Sequence, residues 1–164
     1  MGQPIIKVQI CHEDFNLDNE ISSLTKNHFD VGAIVSFVGL CRDEDSTLEA
    51  LEIEHYPVMA KNEIQRIAES ACSRWPISGI VAIHRYGKIL PGENIVLVIA
   101  ASKHRQAAFN GANYLMDFLK TRAPFWKKEC FKNGDQGGWV SAKDEDDDAL
   151  VKWDTDPNAG DIER

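Results

Sequence analysis

The sequence predicts an α+β fold, specifically a sandwich of mixed or antiparallel sheets packed with about three helices. Three observations lead there. Strand-like and helix-like stretches follow one another as β-α-β-β-α-β-β-α-β-β. Directly adjacent strands therefore alternate with helical crossovers, which an α+β fold accommodates and a doubly wound sheet does not. The 164 residues suit one domain that can bury a core without staples, and 43% hydrophobic residues argue against disorder of the whole. No repeat or linker interrupts residues 1–143, so these form a single domain, followed by an acidic tail over residues 144–164.

Taken in order, residues 5–10 alternate apolar and polar side chains, as a half-buried strand does. Asn16 or Asp18 caps a helix that runs to about Phe29 and turns Ile21 and Leu24 inward. Asp30-Val31-Gly32 ends it, and residues 33–38 form a buried strand rich in β-branched side chains. Gly39 releases Leu40-Cys41-Arg42 into a polar loop with Asp43, Glu44 and Asp45. Alternation resumes over residues 48–55, which predicts an antiparallel pair with the preceding strand.

Pro57 suits a first helical turn. Ile64, Ile67, Ala68, Ala71, Cys72 and Trp75 follow at helical spacing, giving a helix over residues 57–75 closed by Pro76 and Gly79. A strand at residues 80–86, a loop at 86–93 and the most apolar strand at 94–101 come next. Ser102 caps a helix over residues 104–121, with Ala108, Ala112, Leu115 and Leu119 inward. After Pro124, residues 125–131 and 138–141 close as a hairpin around Asn133-Gly134.

The net charge of -8 is concentrated at one end. Nine Asp or Glu face only Lys152 and Arg164 between Asp144 and Arg164, a net of -7 that leaves -1 for the rest. The tail reads as a solvated, flexible appendage; its sharper reading is an interaction arm or a mimic of an anionic ligand. The nearly neutral body implies neither a nucleic-acid nor a membrane partner. No apolar run has the length of a membrane span, and the polar start Met1-Gly2-Gln3-Pro4 is unlike a signal peptide, so the expected location is cytoplasmic. Cys11, Cys41, Cys72 and Cys130 form no CxxC pair and read as reduced thiols. The five histidines lack metal-ligand spacing, so no metal is expected.

Chemistry concentrates in Lys120-Thr121-Arg122-Ala123-Pro124-Phe125-Trp126-Lys127-Lys128, where cations, two large aromatics and a proline that forces a turn stand together. A solvated helix face rarely interleaves Phe and Trp among its charges, so the stretch reads as one wall of an anion-handling pocket. Two more cation sites accompany it: Arg42 after a buried strand, and His104-Arg105 at a helix start, where free N–H groups favour an anion. Each has a plainer reading. Lys120 could complement a helix dipole, Lys127 and Lys128 could protect a strand edge, and Arg42 could pair with neighbouring acids. Strand alternation also puts Lys127 with Phe125 and Glu129 on one face, and Lys128 on the other. Their co-occurrence favours the pocket. His104 and Lys120 stand sixteen positions apart on one helix, hence about 24 Å apart. One small phosphorylated ligand cannot touch both within a subunit, so the chain has either two separate anion sites or one pocket assembled across a symmetric dimer, and the composite pocket is the expectation.

The residues resemble the large, catalytic subunit of molybdopterin synthase. The resemblance lies in Val31-Gly32-Ala33 through Gly39 with Arg42, Leu51-Glu52-Ile53-Glu54-His55-Tyr56-Pro57 and Arg74-Trp75-Pro76. It continues in Ile83-His84-Arg85-Tyr86-Gly87, Ser102-Lys103-His104-Arg105 and above all residues 119–129, spanning residues 31–142. It implies an α/β hammerhead-type fold and a homodimer that binds two small ubiquitin-like sulfur-carrier subunits as a heterotetramer. The carrier's thiocarboxylated C-terminus would deliver two sulfurs to cyclic pyranopterin monophosphate, making the molybdopterin dithiolene, with no cofactor. The resemblance makes Lys120 and Lys127 catalytic. It gives substrate contacts to Leu40, Cys41, Arg42, His104, Arg105, Lys128 and Glu129 as well. Lys143 stands where an arginine would be expected. Two other readings stay open at this point: a non-catalytic phosphometabolite-binding module, and a thiol-dependent sulfurtransferase using Cys41.

Overall fold

A computed structural model describes residues 2–140 and 144–154 of the chain. In order, the elements are β1 (Ile5–Cys11), α1 (Leu17–Thr25), β2 (Ala33–Leu40), β3 (Leu48–His55), α2 (Pro57–Arg74) and β4 (Ile77–Arg85). Then come β5 (Gly87–Ile89), β6 (Asn94–Ser102), α3 (Arg105–Thr121), β7 (Phe125–Phe131), β8 (Gln136–Val140) and α4 (Asp144–Val151). They build two four-stranded sheets, β1-β4-β6-β2 and β5-β3-β7-β8. This is the mixed α+β organisation expected from the sequence.

The first sheet carries the core. Its central strands β4 and β6 are buried almost throughout because helices cover both faces. Alternation sorts their side chains. Ile80, Ala82, Val98 and Ala100 meet Ile64, Ile67 and Ala71 of α2 and Ala112, Leu115 and Leu119 of α3. Val81, Ile83, Leu97, Ile99 and Ala101 meet Leu24 of α1 on the other side. Each large side chain taken out of water contributes about 1.5–3 kcal/mol. The sheet thus fixes α3, whose two ends carry His104-Arg105 and Lys120.

The structure departs from the sequence reading in several places. Strand β2 is half-buried at most, with Phe37 exposed, and His104, not Ser102, is the N-cap of α3. Strands β2 and β3 are not partners: β2 pairs with β6, and β3 pairs with β5 and β7 in the other sheet. The intervening loop crosses between sheets because it is clamped elsewhere. Cys41 N donates to the Glu93 carbonyl at 2.8 Å, Gly92 N donates to the Cys41 carbonyl at 2.7 Å, and the Asp43 carboxylate accepts from Thr47 N and Leu48 N. Helix α1 stops at Thr25, short of Phe29, where Asn27 takes a left-handed φ of 66°. The loop at residues 86–93 contains β5, too short to show a periodicity.

The tail departs as well. Over residues 144–154 it contributes α4, buries Leu150 and packs Trp153 against the core instead of trailing as an appendage. The remainder of that expectation, and the Lys143 position, lie outside the described residues. Among the described residues, no helix is long and apolar enough to cross a membrane.

Candidate functional site

Helix α3 is continuous from Arg105 to Thr121, so the two basic ends expected from the sequence stand about 24 Å apart. His104 is the N-cap, in an extended conformation and with no side-chain capping bond, and both His104 and Arg105 are exposed. Lys120 lies in the last turn, also exposed. Beyond it the chain reverses. Arg122 N donates to the Phe118 carbonyl at 2.7 Å, Phe125 N to the Ala123 carbonyl at 2.8 Å, and β7 runs back along β3. The reversal at Ala123-Pro124 sets Lys120 on a helix end and Lys127 on the strand that follows.

Register fixes where Lys127 points. Its Cα partners are Ile53 on β3 and Val140 on β8, so it shares a face with Phe125 and Glu129. Lys128 pairs with Glu52 and Trp139 on the other face, where its ammonium lies 5.8 Å from the centre of the Trp139 ring. One subunit therefore directs the two neighbouring lysines to opposite sides of the sheet.

A column of rings supports β7 beside Lys127. Phe125 stacks on His84 at 3.8 Å and on His55 at 5.8 Å; His55 then contacts Tyr86, and Tyr86 meets His12 edge-on. His84 is 6% exposed, and its Nδ1 donates to the Arg85 carbonyl at 2.8 Å. Burial pulls its pKa down to about 4, against the Arg85 hydrogen bond and with help from the Lys127 and His55 charges. Burial lowers the His55 pKa as well. The wall next to Lys127 is thus aromatic, with its His84 and His55 rings neutral near pH 7. This column comes from four separate segments, and nothing local in the sequence signals it.

Arg42 is exposed and forms an ion pair with Glu44 at 2.8 Å, an interaction of little energetic weight at such exposure. Arg42 and Glu129 line one cleft of about 270 Å³, together with Asp43, Glu44, Asp45, Thr47, Leu48 and Phe131. The structure thus brings these two sequence-predicted residues together. Leu40, at the end of β2, is exposed. Cys41 is not available: it is 4% exposed, both its backbone polar groups are occupied, and its Sγ faces the Ile89 carbonyl. Burial, then the charges of Asp43 and Glu93, push its thiol pKa up, the reverse of what a nucleophile needs. Among the described residues, no group of three or more His, Cys, Asp or Glu could hold a metal ion.

The arrangement offers cations from a helix end, a strand face and a loop, with a carboxylate at Glu129 and a neutral aromatic wall. It suits an anionic substrate that must be oriented and protonated.

A family model described as MoaE protein matches residues 10–122. The "Molybdopterin synthase catalytic subunit" of Mesorhizobium japonicum is 61% identical over 146 residues, 89% of this chain and 92% of that one. The protein of the same name from Escherichia coli is 38% identical over 149 residues, 90% of this chain and 97% of the other. Among solved structures, the molybdopterin biosynthesis MoaE protein of Burkholderia ambifaria superposes with a TM-score of 0.79 at 39% identity, covering 92% of this chain and 99% of that one. Molybdopterin synthase from Staphylococcus aureus gives a TM-score of 0.70 at 28% identity, over 79% and 95% of the two chains.

Proposed function

The chain belongs to the MoaE protein family, the catalytic subunits of molybdopterin synthase, and from that premise we propose how its residues divide the work of sulfur transfer. The enzyme takes sulfur from the thiocarboxylated C-terminus of a small ubiquitin-like carrier subunit. It places two sulfurs on cyclic pyranopterin monophosphate, in the cytoplasm, making the dithiolene of molybdopterin. Lys120 faces the thiocarboxylate and the reacting carbon, stabilising charge and donating a proton. Lys127 assists opening of the cyclic phosphate and departure of oxygen. Arg42 and Glu129, which share a cleft, orient the pterin. His104 and Arg105 hold its phosphate at a helix start.

The observation that carries this reading is the unbroken helix α3. With His104-Arg105 and Lys120 about 24 Å apart in one subunit, one small substrate reaches both only where two copies meet. The active unit is then a homodimer whose sites each draw Lys120 and Lys127 from one chain and His104 and Arg105 from the other. Each chain binds one carrier, giving a heterotetramer. The sulfurtransferase reading through Cys41 is disfavoured by that residue's burial.

The test is subunit complementation, read as molybdopterin formed from thiocarboxylated carrier and cyclic pyranopterin monophosphate. Arg105→Ala and Lys120→Ala chains are each inactive as homodimers. Mixed dimers regain about half of one site pair, because one site receives both intact halves. Absence of rescue would sink the shared site. Full turnover by Lys120→Ala homodimers would remove Lys120 from the chemistry.

A further inference from the structure

The tail segment of the chain grips the carboxylate that stands beside Lys120. Asp117 and Lys120 are three residues apart on α3, a spacing that makes their side chains neighbours on the helix surface. The last turn is intact between them, since Thr121 Oγ1 donates to the Asp117 carbonyl at 2.8 Å. A carboxylate so placed can pair with the lysine of its own helix. Here it is drawn to the tail: its Oδ2 accepts from Trp153 Nε1 at 2.7 Å and pairs with Lys152 Nζ at 2.8 Å. Trp153 is itself anchored, edge-on to Trp75 at 5.4 Å and Tyr114 at 5.3 Å, with its carbonyl accepting from Arg74 Nη1 at 2.7 Å. Lys120 remains exposed and makes no ion pair among the described residues.

We propose that Lys152 and Trp153 are positioning residues for Lys120: by occupying the Asp117 carboxylate they keep the lysine from being neutralised within its own helix and available to an anion. The proposal rests on the role given to Lys120 above. Lys152 adds a second effect, because it offsets a negative charge that would otherwise repel the incoming thiocarboxylate. The acidic segment thus supports the site through its few non-acidic residues.

The experiment uses full-length protein with thiocarboxylated carrier. In the Lys152→Gln/Trp153→Phe variant, Phe keeps a ring against Trp75 and Tyr114 but has no N–H, and Gln keeps length without charge. The KM for carrier is expected to rise about two- to fivefold at low ionic strength, the upper scale of a partly exposed charge pair, and the rise shrinks as salt screens it. Adding Asp117→Asn returns KM to that of Asp117→Asn alone, which a merely structural loss would not do. Lys152→Gln by itself, which disturbs no ring packing, gives a smaller shift of the same sign. An unchanged KM, a loss that Asp117→Asn does not reverse, or tighter carrier binding in the double variant overturns the proposal. A parallel Lys120→Ala arm separates the two ideas. If that variant turns over fully, the role of Lys120 fails; if it is inactive and the rescue is absent, only the tail's role fails.

Discussion

Phe125 lies face to face with His84, ring centroids 3.8 Å apart and planes inclined by 15°. His55, the cross-strand partner of Phe125, lies 5.8 Å from it at 19°, so the start of β7 is packed against two imidazoles. Two residues on, the same strand face carries Lys127. Stacking fixes both the position and the direction of that lysine, and it works only while His84 is neutral. A charged imidazole there would be buried without a counter-charge and would sit beside a second cation.

This gives a pH dependence with a definite sign. The His84 pKa is about 4 in the fold, against 6.5 as its ordinary value, so the unfolded chain binds a proton that the folded chain refuses. Stability is therefore intact above pH 6.5, falls as pH drops toward 4, and changes no further through this group below that. The loss between pH 7.5 and pH 5 should be about 2 kcal/mol. Urea unfolding of the wild type and of His84→Phe at the two pH values isolates it. The Phe variant keeps the stack and should lose about 2 kcal/mol less over that interval. Equal losses in the two proteins would show that His84 is not the titrating group.

Lys127 and Lys128 should separate under substitution. Lys127 faces the ring column, whereas Lys128 lies over Trp139 on the opposite side of the sheet. Lys127→Ala is expected to lower kcat by about 10²–10⁴, the usual span for a proton-transferring group. Lys128→Ala should act mainly on KM, with kcat changed by less than about tenfold, since a group that binds ground and transition states alike leaves kcat nearly untouched. Steady-state kinetics on both variants decides it, and similar losses of kcat would mean that the two ammonium groups converge.

Much of the fold can be read from the sequence wherever local periodicity is strong. Helix α3 and strands β3 and β7 lie where their patterns put them, and Lys127 and Lys128 part to opposite faces as alternation requires. Sheet partnership was hidden, because alternation over residues 48–55 marks a strand without naming its neighbour; the clamps from Cys41 to Glu93 and Gly92 decide that. The ring column was hidden for the same reason, as His12, His55, His84 and Phe125 meet only in three dimensions. The tail misled through its charge. Leu150 and Trp153, one helical turn apart, were the signal that this acidic run has an apolar side that docks.

Cys41→Ser should leave turnover within about twofold. The thiol is buried against the Ile89 carbonyl, and its pKa is raised, so it contributes packing and no thiolate. The cost should appear as stability, about 1 kcal/mol for exchanging a buried thiol for a hydroxyl whose partner geometry is imperfect. Activity and thermal unfolding measured on one preparation separate the outcomes. Loss of turnover with unchanged unfolding would restore Cys41 as a nucleophile.

Gly32 offers a way to perturb the far end of α3 without touching its charged residues. Gly32 N donates to the Ser102 carbonyl at 3.0 Å, and a Cβ at this position would overlap the Lys103 carbonyl oxygen. That oxygen is backbone and cannot swing aside as a side chain would. Gly32→Ala must therefore shift residues 102–104, the segment that sets the N-cap His104 and the direction of Arg105. Lys120, at the other end of the helix, is held by the packing of Leu115 and Leu119 and should stay in place. The expected result is a KM for the pterin substrate raised about tenfold, with the KM for carrier unchanged, since about 1.4 kcal/mol of lost phosphate binding is a factor of ten. In mixed dimers, Gly32→Ala and Lys120→Ala chains should complement each other, because the damage lies in opposite halves of the shared pocket. A rise in both KM values would instead show that the helix moves as a whole.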